Sequence, residues 1–220
     1  VDFQAAQKVD WFIANSKNVA GRIQKFFNRK SVVVYPPIVY PEKVNFIPKA
    51  DYFLIVSRII GTKNIELAAI ASKKYGFKLK VAGKPIGVVG NEIIKKIKEC
   101  EAEYLGEVSS EEKAKLLSEA KAFLALEKQP DFGMTTAEPM AYGTPVIAYR
   151  GGGYLEIVKD NENGLLFDDL SVDGLGVAID QFNKLKWDRN KIKKSAEKFS
   201  EKNFEKKIKK IVQTFSITHP

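Results

Sequence analysis

The chain has 220 residues, of which 45% are hydrophobic, a share that supports a sizeable buried core and excludes a disordered tail. No apolar run approaches the roughly 20 residues that a membrane-spanning helix needs, so we expect a soluble protein. The single cysteine, Cys100, excludes an internal disulfide and fits a reducing cytoplasm.

Lysine and arginine number 36 against 27 acidic residues, which gives a net charge of +9. Such a surplus attracts anions: a phosphorylated small molecule, nucleic acid or an anionic membrane surface. In the C-terminal part, lysines alternate with Glu197, Glu201 and Glu205, a pattern typical of a solvated helix face, with surface binding as the alternative. Because no zinc spacing, aromatic RNP-like strand or recognition-helix pattern accompanies the charge, we expect no nucleic acid partner.

The first 50 residues have a different pattern of predicted elements from the rest of the chain. They predict a strand, a helix and a second strand, in this order: 9–16, 17–27 and 31–39. Pro41 and Pro48 then favour an extended connector. We interpret residues 1–40 as the end of a preceding domain with its connector, and we expect the chain, which begins with Val1, to have been cut from a longer one.

From residue 51 onward, short apolar runs alternate with amphipathic stretches. The apolar runs predict strands at 51–57, 77–83, 102–108, 121–127 and 144–150. The amphipathic stretches predict helices at 63–75, 90–100, 109–120 and 135–143. Ser109 or Ser110 is a plausible N-cap, with Glu112 available for a reciprocal bond. This alternation indicates a doubly wound, Rossmann-like parallel sheet with flanking helices over residues 41–199, followed by a C-terminal helix at 200–220.

Ligands of such sheets bind outside the carboxyl ends of the strands. The richest loop there opens the stretch "DFGMTTAEPMAYGTPVIAYRGGG", residues 131–153. Gly133 permits a tight turn, Thr135 or Thr136 can cap the next helix, and Pro139 is tolerated only in its first turn. The free N–H groups and positive dipole end of such a helix start suit a phosphate group.

Glu138, in the same helix, has two interpretations. The pattern Thr135-x-x-Glu138 matches a capping box, in which the carboxylate only accepts a hydrogen bond from the N-cap backbone N–H. A carboxylate one turn into the helix can equally accept both hydroxyls of a ribose.

Arg58 and Lys63 flank Gly61 where the first strand of the alternating series ends. Two cations at that spacing can clamp a diphosphate, with each charge-assisted bond contributing on the order of 1.5–3 kcal/mol. The alternative is a pair of ordinary surface cations.

Together and in order, these segments resemble the nucleotide-sugar-binding half of retaining glycosyltransferases with the GT-B fold, group 1 or family 4. The resemblance covers nearly the whole chain. It is carried by "DWFIANSKNVAGRIQKFF" with "VVVYPPI", "VSRIIGTKNIELAAIA", "YLGEVSSEEKAKLLSEAKAFL" and "DFGMTTAEPMAYGTPVIAYRGGGYLEIVKDNENGLLF". The last segment contains Gly-Gly-x-x-Glu, which ends at Glu156, and an Asn-Gly-Leu-Leu turn. The chain is similar in particular to bacterial and archaeal mannosyltransferases of surface-polysaccharide assembly.

The resemblance implies how a donor would be held. Arg58 and Lys63 would bind the pyrophosphate as the catalytic cations, aided by backbone N–H groups near Thr135. Glu138 would hold the ribose, the backbone near Val108 would contact the base, and the loop at 131–133 would face the sugar. The residues predicted to bind the donor are Gly83, Val108, Asp131, Phe132, Gly133, Met134, Thr135 and Glu138.

The implied reaction transfers a hexose, with mannose as the leading candidate, from a GDP-sugar or UDP-sugar with retention at the anomeric carbon. Arg58 and Lys63 would offset the charge of the leaving group in place of a metal. No Asp-x-Asp pair suited to an essential metal is present, since Asp168 and Asp169 follow the last strand as a solvated turn, and no cofactor is expected. The acceptor would be a glycan or a polyprenyl-phosphate-linked molecule, met in the cytoplasm or through peripheral membrane contact at the inner face.

The chain departs from the family at one key position. The glutamate usually found eight positions before Glu138 is Pro130 here. Glu127 is three positions off, a mismatch of strand faces, so either the donor chemistry is altered or Glu127 or Asp131 stands in. The family's acceptor domain, which carries a histidine, would precede residue 1, whereas the only histidine here is His219, expected to be a frayed terminal residue.

Three other functions have weaker support in the sequence. A binding module that has lost transfer is motivated by Pro130 and the missing half. A Rossmann-like oxidoreductase needs Gly-x-Gly-x-x-Gly after the first strand, which "SRIIGTK" does not supply. A nucleic-acid binder would be supported by charge alone.

Overall fold

The computed structural model describes residues 2–44 and 46–218, with side chains up to residue 214. His219 lies outside the described residues. Within them, none of the helices combines the length and the apolar character needed to cross a membrane.

The elements before residue 50 are α1 (Asp2–Gln7), β1 (Ile13–Ala14), α2 (Lys17–Phe27) and β2 (Val32–Val33). Strands and helices then alternate. In order they are β3 (Phe53–Val56), a 3-10 turn (Gly61–Lys63), α3 (Ile65–Tyr75), β4 (Leu79–Ala82), α4 (Gly87–Glu99), β5 (Glu103–Gly106), α5 (Ser110–Glu119), β6 (Ala122–Ala125), α6 (Met134–Ala141), β7 (Val146–Tyr149), α7 (Tyr154–Ile157), β8 (Gly164–Phe167), α8 (Val172–Lys184), α9 (Arg189–Ala196), a 3-10 turn (Glu197–Phe199) and α10 (Glu201–Thr218).

Strands β3 to β8 form one parallel sheet in the order β5-β4-β3-β6-β7-β8. The chain starts in the middle with β3 and moves outward through β4 to β5. It then returns to the other side of β3 with β6 and continues through β7 to β8. The winding direction therefore reverses between β3 and β6, and the predicted doubly wound, Rossmann-like architecture is confirmed.

The core lies on both faces of this sheet. Phe53 and Ile55 of β3 pack into a cluster with α3, α4 and α8, whereas Leu54 between them packs with α5, α6 and α9 on the other face. Successive side chains of a strand point to opposite faces of the sheet. When helices cover both faces, the side chains on both sides of each central strand must therefore be apolar. The continuous apolar runs of β3 and β6 follow from this.

The helices predicted between the strands are all present, with ends displaced by a few residues. The predicted capping box is confirmed: Ser109 Oγ accepts a hydrogen bond from the Glu112 backbone N–H at 3.1 Å, and the Glu112 carboxylate accepts one from the Ser109 N–H at 2.8 Å. These bonds favour the ionised carboxylate and hold the pKa of Glu112 below its usual value.

Three strands differ from the prediction. The segment taken as an Asn-Gly-Leu-Leu turn contains a full edge strand, β8, in which Gly164 lies so close to β7 that an added Cβ would come within 2.3 Å of the Val146 carbonyl oxygen. The strands predicted at 9–16 and 31–39 shrink to β1 and β2, paired with each other and no other strand among the described residues. Ile13 and Val32 remain exposed there.

Helix α2 is attached to the large sheet domain through its amino terminus. The Glu156 carboxylate accepts hydrogen bonds from the backbone N–H groups of Lys17 at 2.8 Å and Asn18 at 2.9 Å. Ser16, the N-cap of α2, donates its hydroxyl to the Asp131 carbonyl at 2.5 Å. A carboxylate at a helix start satisfies free N–H groups and offsets the positive end of the dipole. The family-like Gly-Gly-x-x-Glu segment thus ends in a helix cap.

We expect Glu156→Ala to lower the free energy of unfolding by about 1 kcal/mol, because the start of α2 loses its acceptor. Urea unfolding measures the loss, and amide hydrogen exchange at Lys17 and Asn18 locates it. The control is Glu162→Ala, since that carboxylate pairs only with the exposed Lys159 at 3.6 Å. Unchanged exchange at Lys17 and Asn18 in the Glu156→Ala chain would contradict the assignment.

Candidate functional site

The reversal between β3 and β6 opens a crevice at the carboxyl edge of the sheet. The two strands are hydrogen-bonded neighbours, but the loop after β3 leads to α3 on one face and the loop after β6 leads to α6 on the other. Loops that leave in opposite directions part above their strands, and ligands of doubly wound sheets bind between them.

Residues predicted in four separate loops meet here. An open cleft of about 240 Å³ is lined by five of them: Arg58, Gly83, Val108, Thr135 and Glu138. Lys63 lines a smaller adjoining cavity, which shares Val56, Ser57 and Thr135 with the cleft. The structure therefore places Arg58 and Lys63 at the same edge of the sheet.

Lys63 is positioned by the 3-10 turn that follows β3. Asn64 ends this turn with a left-handed φ of 52°, and its side-chain amide donates a hydrogen bond to the Leu126 carbonyl at 2.7 Å. This bond ties the loop after β3 to the loop after β6. The Lys63 ammonium forms an ion pair with the Glu127 carboxylate, and each side chain is only about a quarter exposed.

Arg58 differs from Lys63 because its charged group has no ion-pair partner in the described part of the chain. It is exposed at the cleft, and no carboxylate of the described residues lies within ion-pair distance of it. A planar guanidinium offers several donors that match phosphate oxygens. Of the two predicted cations, Arg58 is therefore the one already free for an anionic ligand.

Helix α6 begins at the cleft without a side-chain cap. Gly133 is the N-cap, with φ of 102°, and an added Cβ would meet the Tyr154 ring at 2.7 Å. The predicted caps are wrong: Thr136 is buried, and Thr135 instead lines the cleft. Met134, the first helical residue, is exposed. A helix start left uncapped by side chains has N–H groups suited to phosphate.

Pro139 does not lie in the first turn, as the sequence predicted. It is well inside α6, which spans Met134–Ala141. A proline there cannot bond to the Thr135 carbonyl, but Thr135 is partly exposed and water can serve that group. The helix also ends two residues later, so little regular structure is disturbed.

Glu138 closes no capping box, and that interpretation is wrong. Gly133, not Thr135, is the N-cap, and the Glu138 carboxylate instead pairs with the Lys113 ammonium at 3.1 Å. The carboxylate side chain is 15% exposed and lines the cleft. Sequence reasoning missed Lys113, although its place one turn after the N-cap Ser109 directs it to the same edge.

Gly83 lets the backbones of two neighbouring loops lie close together. Its φ is 142°, and an added Cβ would lie 1.8 Å from the Ser57 carbonyl oxygen, so only glycine lets the loops after β3 and β4 meet this closely. The Gly83 N–H donates to the Gly106 carbonyl at 2.7 Å, and the Tyr104 hydroxyl donates to the Gly83 carbonyl at 2.8 Å. These contacts fix the part of the cleft that Val108 lines.

Asp131 and Phe132, which the resemblance places in the loop that faces the sugar, line neither the cleft nor the adjoining cavity. Phe132 is 2% exposed and stacks on Tyr35 at 5.4 Å, with Phe199 edge-on at 5.3 Å. Burial of the ring is favourable and holds it in the core. Asp131 pairs with Arg22 of α2.

Glu127, by contrast, reaches the site. Strand β6 ends at Ala125, so Glu127 lies in the loop, where the alternation of strand faces no longer applies. The predicted mismatch of faces is therefore wrong, as the ion pair with Lys63 shows. Pro130 is buried, and its carbonyl accepts hydrogen bonds from the Gly153 N–H at 2.9 Å and the Asn18 amide at 3.2 Å.

A larger cavity, of about 870 Å³, lies at the opposite, amino edge of the sheet. Its lining mixes charges of both signs, among them Asp51, Lys78 and Glu101. Size alone does not make it the donor site, because it lacks both the strand ends and the helix starts that bind phosphate in this architecture.

The chain matches the family model described as glycosyl transferases group 1 over residues 39–199. An uncharacterized glycosyltransferase of Methanocaldococcus jannaschii is 30% identical over 166 residues, which are 74% of this chain and 46% of that protein. A probable sucrose-phosphate synthase of Thermosipho melanesiensis is 30% identical over 199 residues, 83% of this chain and 44% of that protein. The chain thus spans about half the length of these relatives.

Two solved structures share the fold. The sucrose-phosphate synthase of Thermosynechococcus elongatus has a TM-score of 0.84 at 17% identity, over 99% of this chain and 61% of that one. The pneumococcal O-GlcNAc transferase GtfA, solved with UDP and GlcNAc, has a TM-score of 0.79 at 20% identity, over 100% of this chain and 47% of that one. With its family model matched across the sheet domain, the chain belongs to the group 1 glycosyl transferases.

Proposed function

We propose that this chain is the donor-binding half of a retaining hexosyltransferase that takes its sugar from a nucleoside diphosphate. The observation that carries the proposal is the convergence of Arg58, Lys63 and the uncapped start of α6 on one crevice. A pyrophosphate suits this set, because it offers several charged oxygens to two cations and to helix N–H groups at once.

Arg58 and Lys63 have different tasks in binding the pyrophosphate. Arg58 binds phosphate oxygens directly, while Lys63 exchanges part of its ion pair with Glu127 for the ligand. When the bond between the anomeric carbon and the diphosphate oxygen breaks, negative charge grows on the leaving diphosphate. The two cations and the start of α6 stabilise that charge, which is the task that a metal ion would otherwise perform.

The nucleoside lies along the cleft lined by Glu138 and Val108. The Glu138 carboxylate accepts hydrogen bonds from the ribose hydroxyls, and Lys113 fixes its orientation from the neighbouring helix α5. The backbone near Val108 and Gly83 contacts the base. GDP and UDP are the candidate nucleotides.

Glu127 is the carboxylate that takes the sugar side of the site in place of the family glutamate. It lies in the cleft-side loop and is held by Lys63, whereas Asp131 is held by Arg22 on the α2 side. Pro130, at the position of the family glutamate, contributes a backbone carbonyl to the packing of the loop and has no carboxylate to offer.

The acceptor belongs to the half of the enzyme that faces this crevice. A glycan or a polyprenyl-phosphate-linked acceptor at the inner membrane face fits the basic surplus, and mannose is the leading candidate sugar. The exposed apolar residues Ile13 and Val32 of the two-stranded sheet, together with Phe26 of α2, offer such a half a surface to cover.

A second candidate is a module that binds nucleotide sugars without transferring them, and Pro130 favours it. Fusing the chain to an acceptor half and assaying both transfer and donor hydrolysis separates the two. Transfer or hydrolysis supports the enzyme, and the absence of both with intact donor binding supports the module.

The nucleotide site is tested by thermal unfolding with a panel of nucleoside diphosphates and their sugars. We expect GDP or UDP and their sugars to raise the melting temperature, because a ligand of the native state stabilises it by RT ln(1 + [L]/Kd). Arg58→Ala and Lys63→Met should each raise the Kd by about tenfold, the equivalent of one charge-assisted bond.

The matched control for these variants is Lys184→Met. Lys184 is exposed at the end of α8 and pairs only with Asp180 at 2.6 Å, so its loss should leave the nucleotide-induced shift unchanged. Equal stabilisation by NAD, or none by any nucleoside diphosphate, would contradict the proposed site.

The Glu127→Gln variant distinguishes the contribution of the sugar to binding from that of the pyrophosphate. Removing the negative charge frees Lys63, so we expect tighter binding of the free nucleoside diphosphate, by about threefold to tenfold. The additional affinity contributed by the sugar should fall. Calorimetric titration with a nucleoside diphosphate and its sugar conjugate measures both. Parallel changes in the two Kd values would mean that Glu127 acts only through Lys63.

A further inference from the structure

A second cluster of cations lies at the amino edge of the sheet, away from the donor crevice. Lys49 precedes β3, Lys121 precedes β6, and Arg189 opens α9. Together they border a cavity of about 340 Å³, whose lining residues are Lys49, Lys121, Pro145, Phe182, Asn183, Leu185, Trp187 and Arg189. No acidic side chain belongs to this lining among the described residues.

Lys49 and Arg189 have only neutral partners. The Lys49 ammonium donates to the Ser118 carbonyl at 2.8 Å and to the Thr144 hydroxyl. Arg189 donates to the carbonyls of Ile47 at 2.5 Å, Ser118 at 3.2 Å and Tyr142 at 3.5 Å, and its guanidinium lies 4.4 Å from the centre of the Phe46 ring. Ser118 lies in the last turn of α5, so these bonds supply the partial negative charge of a helix end rather than a full counter-charge.

Of the nearby carboxylates, one is bound by a cation of the cluster itself and the other by a lysine outside it. Asp51 pairs with Lys121 at 3.3 Å, which leaves Lys49 and Arg189 without a share of it. Glu119, next to Ser118, directs its carboxylate to Lys115 at 4.0 Å. Lys121 is thus balanced by Asp51, whereas Lys49 and Arg189 have no carboxylate partner among the described residues.

Two further features show that the charges of these two side chains are uncompensated. The Arg189 Nε atom is buried and has no hydrogen-bond acceptor among the described residues. Burial, together with the charge of Arg189, lowers the pKa of Lys49 to about 7. Buried donors without a full counter-charge are costly, and a bound anion would remove that cost.

The lining of the cavity also contains two aromatic rings. Trp187 stacks on Phe182 with ring centroids 4.9 Å apart and planes at 18°. Cations and an indole in the same lining make the cavity amphipathic, so that charged groups can orient a ligand and an aromatic surface can cover its less polar part.

We propose that this cavity binds a small phosphate ester, with the phosphate between Lys49, Lys121 and Arg189 and the organic part against Trp187. A phosphate dianion suits a cluster of cations better than a carboxylate does, because it carries more negative charge and more acceptor oxygens. The site is independent of nucleotide binding, since it opens at the amino edge, whereas the donor crevice opens at the carboxyl edge.

Tryptophan fluorescence tests the site in a chain that carries Trp11→Phe and Arg58→Ala. The first substitution leaves Trp187 as the only tryptophan, and the second weakens the donor crevice. Phenyl phosphate should change the emission saturably, whereas phenyl glucoside at matched ionic strength should not. Adding Lys121→Met should raise the Kd of phenyl phosphate by about tenfold, and adding Lys184→Met should leave it unchanged.

The pKa of Lys49, followed by NMR in a lysine-labelled chain, gives a readout that does not depend on a variant. Saturating phenyl phosphate should raise this pKa by about one unit or more, because an adjacent anion favours the charged ammonium. A Lys49 pKa unaltered by phenyl phosphate, or equal Kd values with and without Lys121→Met, overturns the proposal.

Discussion

The reversal of winding between β3 and β6 is the constraint on which the site depends. Two neighbouring parallel strands send their chains to opposite faces of one sheet, so the loops that follow them must part at the carboxyl edge. The loop after β3 brings Arg58 and Lys63, and the loop after β6 brings the start of α6. The buried, two-sided core holds this edge rigid, since both faces of β3 and β6 are packed.

Charge at the two edges of the sheet is balanced in different ways. At the carboxyl edge, Lys63 is paired with Glu127 and Lys113 with Glu138, so that only Arg58 among these cations is open. At the amino edge, Lys49 and Arg189 contact only neutral groups of the described residues: backbone carbonyls, the Thr144 hydroxyl and the Phe46 ring. The exchange of partners that we propose at the first edge would let a charged ligand bind and leave, whereas the anion that we propose at the second edge would supply a missing counter-charge.

Much of the fold could be predicted from local chemistry. The alternation of apolar and amphipathic segments correctly predicted a parallel sheet flanked by helices. Ser109 and Glu112 correctly predicted the start of a helix. The short strand β8 was missed because its four residues begin within an Asn-Gly turn signal. The prediction that Pro139 lies in the first turn of α6 was wrong, because the helix is capped at Gly133 and so begins earlier than it would after a threonine cap.

The site could be predicted only in part, since side-chain direction beyond a strand end depends on tertiary contacts. Arg58, Gly83, Val108, Thr135 and Glu138 meet as expected, but the ring of Phe132 turned inward and Glu127 turned to Lys63. The most direct test is an NMR titration with GDP and UDP that follows backbone amides and arginine side chains. The account predicts the largest shifts at the amides of Met134 and Thr135 and at the guanidinium of Arg58. Shifts confined to the amino edge, around Lys49 and Trp187, would contradict it.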